Sequence, residues 1–80
     1  MVSRLATDNK VVGTRQVKRA LAGGKAEVVY IAEDADRKIT QEIIQLCNEK
    51  QVEIVYVESM KKLGEFCKIE VSAASAALLK

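Results

Sequence analysis

Eighty residues, 49% of them hydrophobic and 30% charged, are enough for one small globular domain spanning residues 1–80 and too apolar for a disordered chain. The net charge of +2 hides a segregation: residues 1–25 hold six basic residues against Asp8 alone, whereas residues 26–58 hold eight acids against three bases. No histidine is present, which removes the commonest general base and the commonest zinc ligand, and no apolar run reaches the ~18–20 residues of a membrane span.

The first ten residues are polar, with Val2, Leu5 and Ala6 at helical spacing, and predict a short N-terminal helix. They contain no hydrophobic signal core. Lys10 to Gly13 predicts a short strand feeding a glycine turn. Thr14 then stands where an N-cap belongs, with Val17, Ala20 and Leu21 at i, i+3, i+4 forming one buried face. Gly23-Gly24 supplies the left-handed stop.

This helix breaks a local rule. A helix N-terminus carries partial positive charge and unpaired N–H donors, so carboxylates belong there. Here Arg15, Lys18 and Arg19 crowd the first turns without an acid among them. The missing compensation would be an anion such as phosphate, and a solvated basic face is the plain alternative.

Ala26 to Ala32 is a continuous apolar, β-branched run that predicts a buried parallel strand. Glu33 to Lys38 reads as a charged loop, with a helix next from Ile39 or Thr40 to about Lys50 and Ile43, Ile44 and Cys47 on one face. Val52 to Val57 predicts a second apolar strand, and Ser59 is a good N-cap for a helix from Met60 to Cys67. Alternating strands and helices mean a parallel or mixed sheet with helices on both faces. The tail Val71 to Leu79 is alanine-rich: propensity favours a helix, whereas topology favours a last strand of small residues beneath packed helices.

Enzymatic motifs do not survive inspection. Gly23-Gly24-Lys25 lacks the earlier glycine and the following Ser or Thr of a phosphate loop, since position 19 is Arg19 and position 26 is Ala26. Glu33, Asp34 and Asp36 could hold a cation but read more simply as solvated acids able to cap the next helix. No serine or cysteine has a histidine to activate it, so the chain is read as a non-enzyme without a cofactor or metal. Cys47 and Cys67 form no metal or redox spacing and read as free thiols in a reducing cytoplasm.

RNA binding has more support. The aromatics are limited to Tyr30, Tyr56 and Phe66, with both tyrosines in the apolar strands, which disfavours a reader that stacks bases on exposed rings. A helix N-terminus offering Arg and Gln to base edges and lysines to phosphates remains. The main competing class is a protein-interaction module that uses the acidic central face without binding RNA.

Val12-Gly13-Thr14-Arg15-Gln16-Val17-Lys18-Arg19, then Ile31-Ala32-Glu33-Asp34-Ala35-Asp36, then Leu63-Gly64 and Ile69-Glu70-Val71 resemble the kink-turn-binding ribosomal proteins. This is the archaeal "seven-Ae" large-subunit family, with bacterial ribosome-associated paralogues. The resemblance runs over roughly residues 3–80. It implies a three-layer α/β/α sandwich with a central mixed four-stranded sheet, and it settles the choice of a strand for the tail. The implied function is stabilising a sharply bent RNA with tandem sheared G·A pairs. The partner would be ribosomal RNA, a riboswitch or a small RNA, with neither DNA nor a membrane, and the protein a cytoplasmic monomer.

The family motif there is Gly-Thr-Asn-Glu-x-x-Lys. Gly13 and Thr14 match it, Arg15 stands for the asparagine, Gln16 for the glutamate and Arg19 for the lysine. Gln16 keeps a carbonyl acceptor without negative charge, and Arg15 adds a longer donor fork. The Arg15 and Gln16 variants are similar to the bacterial paralogues. Lys18 adds charge beside them. By the same resemblance, Lys68, Ile69, Glu70 and Val71 form a lip against the bases. Lys61 replaces the charge that archaeal members place where this chain has Met60.

Overall fold

The computed structural model describes residues 9–67 and 73–80. In chain order the elements are β1 (Lys10–Val12), α1 (Thr14–Ala22), β2 (Ala26–Ala32), α2 (Arg37–Lys50), β3 (Glu53–Val57), α3 (Met60–Phe66) and β4 (Ser75–Leu79). The four strands form one sheet in the order β1-β4-β2-β3. β2 and β3 are parallel, while β4 runs antiparallel to both β1 and β2, so the sheet is mixed.

The uninterrupted apolar run of β2 reflects burial on both faces. Val28, Tyr30 and Ala32 pack with Val57, Leu63, Cys67, Ala76 and Leu78 beneath α3. Val29 and Ile31 point the other way, into a second core with Val17, Leu21, Ile43, Cys47 and Ala77 beneath α1 and α2. A register irregularity between Ala26 and Val28 places Ala26 on the side of Val29 and turns Glu27 to the surface. Three layers result, with α1 and α2 on one face and α3 on the other.

The last strand is real, although shorter than expected. Its residues pair on both sides, Val11 with Ala77 and Val29 with Ala77, and Ala76 and Ala77 are fully buried. Alanine enters a central strand here because a larger side chain would hold the helices off the sheet; packing overrides propensity. Ala73 and Ala74 precede the strand, and residues 71 and 72 lie outside the described residues, as does the helix expected before Asn9. Lys10, where the expected helix and the expected strand overlap, belongs to β1.

Two helix starts differ from the sequence-based expectation. α2 begins at Arg37, not Ile39 or Thr40, because Asp36 accepts from the Lys38 N–H at 2.9 Å and starts the helix early. α1 begins at Thr14 itself, so Thr14 is not the cap. That position belongs to Gly13, at φ 99° and ψ 148°.

Candidate nucleic-acid interface

The carboxyl ends of β1, β2 and β3 and the start of β4 meet along one rim. β1 runs into Gly13, whose N–H donates to the Ser75 carbonyl at 2.9 Å, while its own carbonyl accepts from Val17 N–H at 3.0 Å to open α1. The turn needs a residue without a Cβ, because φ near +99° is closed to ordinary side chains. The N-terminus of α1 therefore stands beside the point where the chain enters β4.

Among the described residues no side chain caps α1, and its first turn contains no acid. The other two described helices are closed: Asp36 caps α2, and Ser59 Oγ accepts from Lys62 N–H at 3.1 Å in α3. Asp34 reaches across from the β2–α2 loop to accept from Met60 N–H at 2.7 Å, and Ala73 N–H donates to the Met60 carbonyl at 3.1 Å. These two bonds pin the start of α3 to the same rim. The sequence suggested capping by the acids of residues 33–36 but not this tie, which needs a partner 26 positions away.

Arg15, Gln16 and Arg19 are exposed, and Gly13 and Thr14 are half-buried at the turn. With 100° per residue, Arg15 and Arg19 stand together on the crown of α1, opposite the buried Val17, Ala20 and Leu21. Lys18 differs from its neighbours. It turns toward α2 and pairs with the Glu42 carboxylate, both side chains remaining partly exposed. It is an inter-helix tie before it is an anion contact. Lys61 is exposed in the first turn of α3. The other expected contacts, Lys68, Ile69, Glu70 and Val71, lie outside the described residues.

Two features at or near the rim were not anticipated. Ser75 is fully buried, and its hydroxyl has no hydrogen-bond partner among the described residues. Tyr56 is 54% exposed and walls an open groove of about 530 Å³ with Ile44, Gln41 and Arg37. Its apolar strand context suggested burial, and only knowledge that β3 is an edge would have suggested otherwise. Among the described residues, no group of three Cys, Asp or Glu side chains is placed to hold a metal ion, and no helix is long and apolar enough to cross a membrane.

Comparison with known proteins agrees with this architecture. An "RNA-binding protein" of Geobacillus thermodenitrificans is 51% identical over 70 residues, covering 88% of this chain and 85% of that protein. "RNA-binding protein YbxF" of Geobacillus stearothermophilus is 49% identical over 70 residues, with coverage of 88% and 85%. Among solved structures, the "Giardia lamblia 15.5kD RNA binding protein" superposes with a TM-score of 0.89 at 31% identity, covering 99% of this chain and 68% of that one. Residues 2–80 match the profile of one family throughout, and the chain belongs to the ribosomal protein L7Ae/L30e/S12e/Gadd45 family.

Proposed function

We propose that this protein is a non-enzymatic RNA-binding protein that recognises kink-turns and stabilises their bent form. The observation that carries the reading is the contrast among the helix starts: α2 and α3 are closed by protein carboxylates and a hydroxyl, whereas α1 opens without a cap and with Arg15 and Arg19 exposed. Such an end attracts phosphate and offers donors to base edges. The names of the relatives and of the Giardia structure, all RNA-binding proteins, support the same class.

A kink-turn brings two backbones together and is only partly populated alone. A protein that binds the bent state shifts the equilibrium by its differential affinity for that state. In this reading Arg15 and Gln16 address the sheared G·A pairs, while Arg19 offsets phosphate crowding. Gly13 and Thr14 shape the turn, Lys61 supplies charge across the rim, and in the lip of Lys68, Ile69, Glu70 and Val71 the apolar Ile69 and Val71 shield the extruded base. All these residues come from one chain, so one monomer suffices for one RNA, in a cytoplasmic and ribosome-associated setting.

The test is a titration against a short kink-turn RNA labelled at both ends and followed by energy transfer, beside a control whose G·A pairs are Watson–Crick. Tight binding with folding of the first RNA alone is expected; equal binding to both would reduce α1 to a general polyanion surface. Arg19→Ala should weaken binding and lower the salt-dependence slope by about one phosphate contact. An unchanged slope would refute that role.

A further inference from the structure

The basic face of α1 is not uniform. Val17, Ala20 and Leu21 form its buried side, and Arg15 and Arg19 stand opposite on the crown. By helical geometry Gln16 and Lys18 then occupy the two flanks, and the Lys18 flank is the one against α2, where its Nζ meets Glu42 Oε2. Packing chooses this partner, not proximity in sequence. Lys38 stands four residues before Glu42 on α2, the spacing of a within-helix pair, yet the Glu42 carboxylate turns to the neighbouring helix. Among the described residues the other ion pair is local, joining Lys62 to Glu58 four positions away. The three cations that crowd the start of α1 are therefore of two kinds. Arg15 and Arg19 are exposed, whereas the protein itself already supplies an anion to Lys18.

We propose that Glu42 is a specificity-determining residue: it engages Lys18 as an internal counter-anion and so limits RNA binding driven by charge alone. This inference rests on the RNA-binding reading of α1. Sequence-independent binding grows with the number of phosphates a protein neutralises, whatever the RNA. A cation free in every orientation strengthens every complex, the wrong ones included, and specificity is a difference between affinities. Taking Lys18 out of that pool lowers the charge-driven part and leaves Arg15 and Gln16 to read base edges.

The pair acts by competition, not by locking. The Lys18 and Glu42 side chains remain 39% and 60% exposed, so water screens the pair and it exchanges. A phosphate that recruits Lys18 must displace the Glu42 carboxylate and then lie close to it, two costs that Arg15 and Arg19 do not carry. In a kink-turn complex the base-edge contacts of Arg15 and Gln16 fix the register of α1 and keep the Lys18 flank against α2. An RNA held by charge alone has no such register and can turn until Lys18 reaches a phosphate. Glu42 therefore bears more heavily on the second kind of complex than on the first.

The experiment is a double-mutant cycle on the whole chain: Glu42→Gln, Lys18→Met and both together, titrated over a range of salt against the kink-turn RNA and its Watson–Crick control. Glu42→Gln should tighten binding to the control by about three- to tenfold at roughly 0.1 M salt and steepen its salt slope by about one phosphate contact. The gain on the kink-turn RNA should be smaller, so the preference between the two narrows. Beside Lys18→Met the same substitution should bring no such gain, because the two residues act as a pair. Lys18→Met alone should flatten the slope less than Arg19→Ala does. Both side chains are partly exposed, so the variants keep the fold, with circular dichroism as the check. No gain on the control overturns the proposal. So does a gain that persists beside Lys18→Met, which would mark plain repulsion between Glu42 and RNA, or an equal gain on both RNAs. A larger slope loss for Lys18→Met than for Arg19→Ala would make Lys18 an RNA contact already and overturn it as well. The unsubstituted chain is read separately: equal affinity for both RNAs removes kink-turn recognition, whereas a preference with a flat cycle removes only the role of Glu42.

Discussion

Gly13 carries more of the site than its size suggests, because its backbone makes three connections at once. It ends β1, donates to Ser75 at the start of β4, and supplies the carbonyl that opens α1. A Cβ added there would meet nothing within 4 Å among the described residues, so Gly13→Ala creates no clash with them. The cost is conformational: φ 99° with ψ 148° is a region essentially reserved for glycine, and holding another residue there costs about 1–3 kcal/mol. At roughly 4–8 °C per kcal/mol for a domain of this size, thermal melting should register it clearly. Gly24 is a control, since φ 68° lies in the left-handed region that other residues can enter and a Cβ there also meets nothing. Gly13→Ala should therefore lower the melting temperature more than Gly24→Ala. Equal effects would mean that the turn relaxes. The sequence pointed to this turn, but the spacing of Thr14 ahead of Val17 could not reveal that glycine occupies the capping position. It assigned the stop to Gly23-Gly24 together, whereas Gly23 stays helical at φ −83° and Gly24 alone turns left-handed.

Elements with one strong periodicity were readable, because burial on one face or two leaves an unambiguous pattern. β2 and β3 declared themselves as apolar runs, and α1 by Val17, Ala20 and Leu21. β4 did not, because its alanines suit a helix equally well and only pairing with β1 and β2 selects a strand. Nor did the start of α2, where the polar run Glu33 to Lys38 resembles a loop until Asp36 is seen to accept from Lys38 N–H. That cap is a testable boundary. Asp36→Ala should cost about 1 kcal/mol in urea unfolding, and Asp36→Asn much less, because asparagine caps as well as aspartate. Similar losses for both would indicate that the carboxylate charge, not the cap, supports α2. Within the candidate site, Arg15, Lys18 and Arg19 were legible as charge out of place, and Gln16 as a neutral donor and acceptor beside them. The Lys18–Glu42 tie was not, since it joins two helices 24 positions apart.

At the scale of the whole molecule, the sheet divides the interior into two cores, and each holds one cysteine. Cys47 lies beneath α1 and α2, and Cys67 beneath α3. Neither forms a disulfide, and both are buried. Burial disfavours the thiolate and pushes Cys47 up to about 11 from an ordinary value of 9.0. Cys67 is raised by the same cause, with the charge of Lys10 opposing it. Between pH about 9 and about 11 an unfolded chain sheds the Cys47 proton while the folded chain keeps it. The unfolded state then binds fewer protons, so stability is whole below this window and falls as pH rises through it. With 0% exposure for Cys47, a two-unit separation corresponds to roughly 2–3 kcal/mol at the top of the window. The measurement is a difference: urea unfolding across that range for the unsubstituted chain and for Cys47→Ala. The substitution lowers stability at every pH by leaving a cavity, but its decline with pH should be shallower. Parallel declines would mean that the Cys47 thiol ionises in the fold as readily as in the open chain, and that the core beneath α1 and α2 admits water.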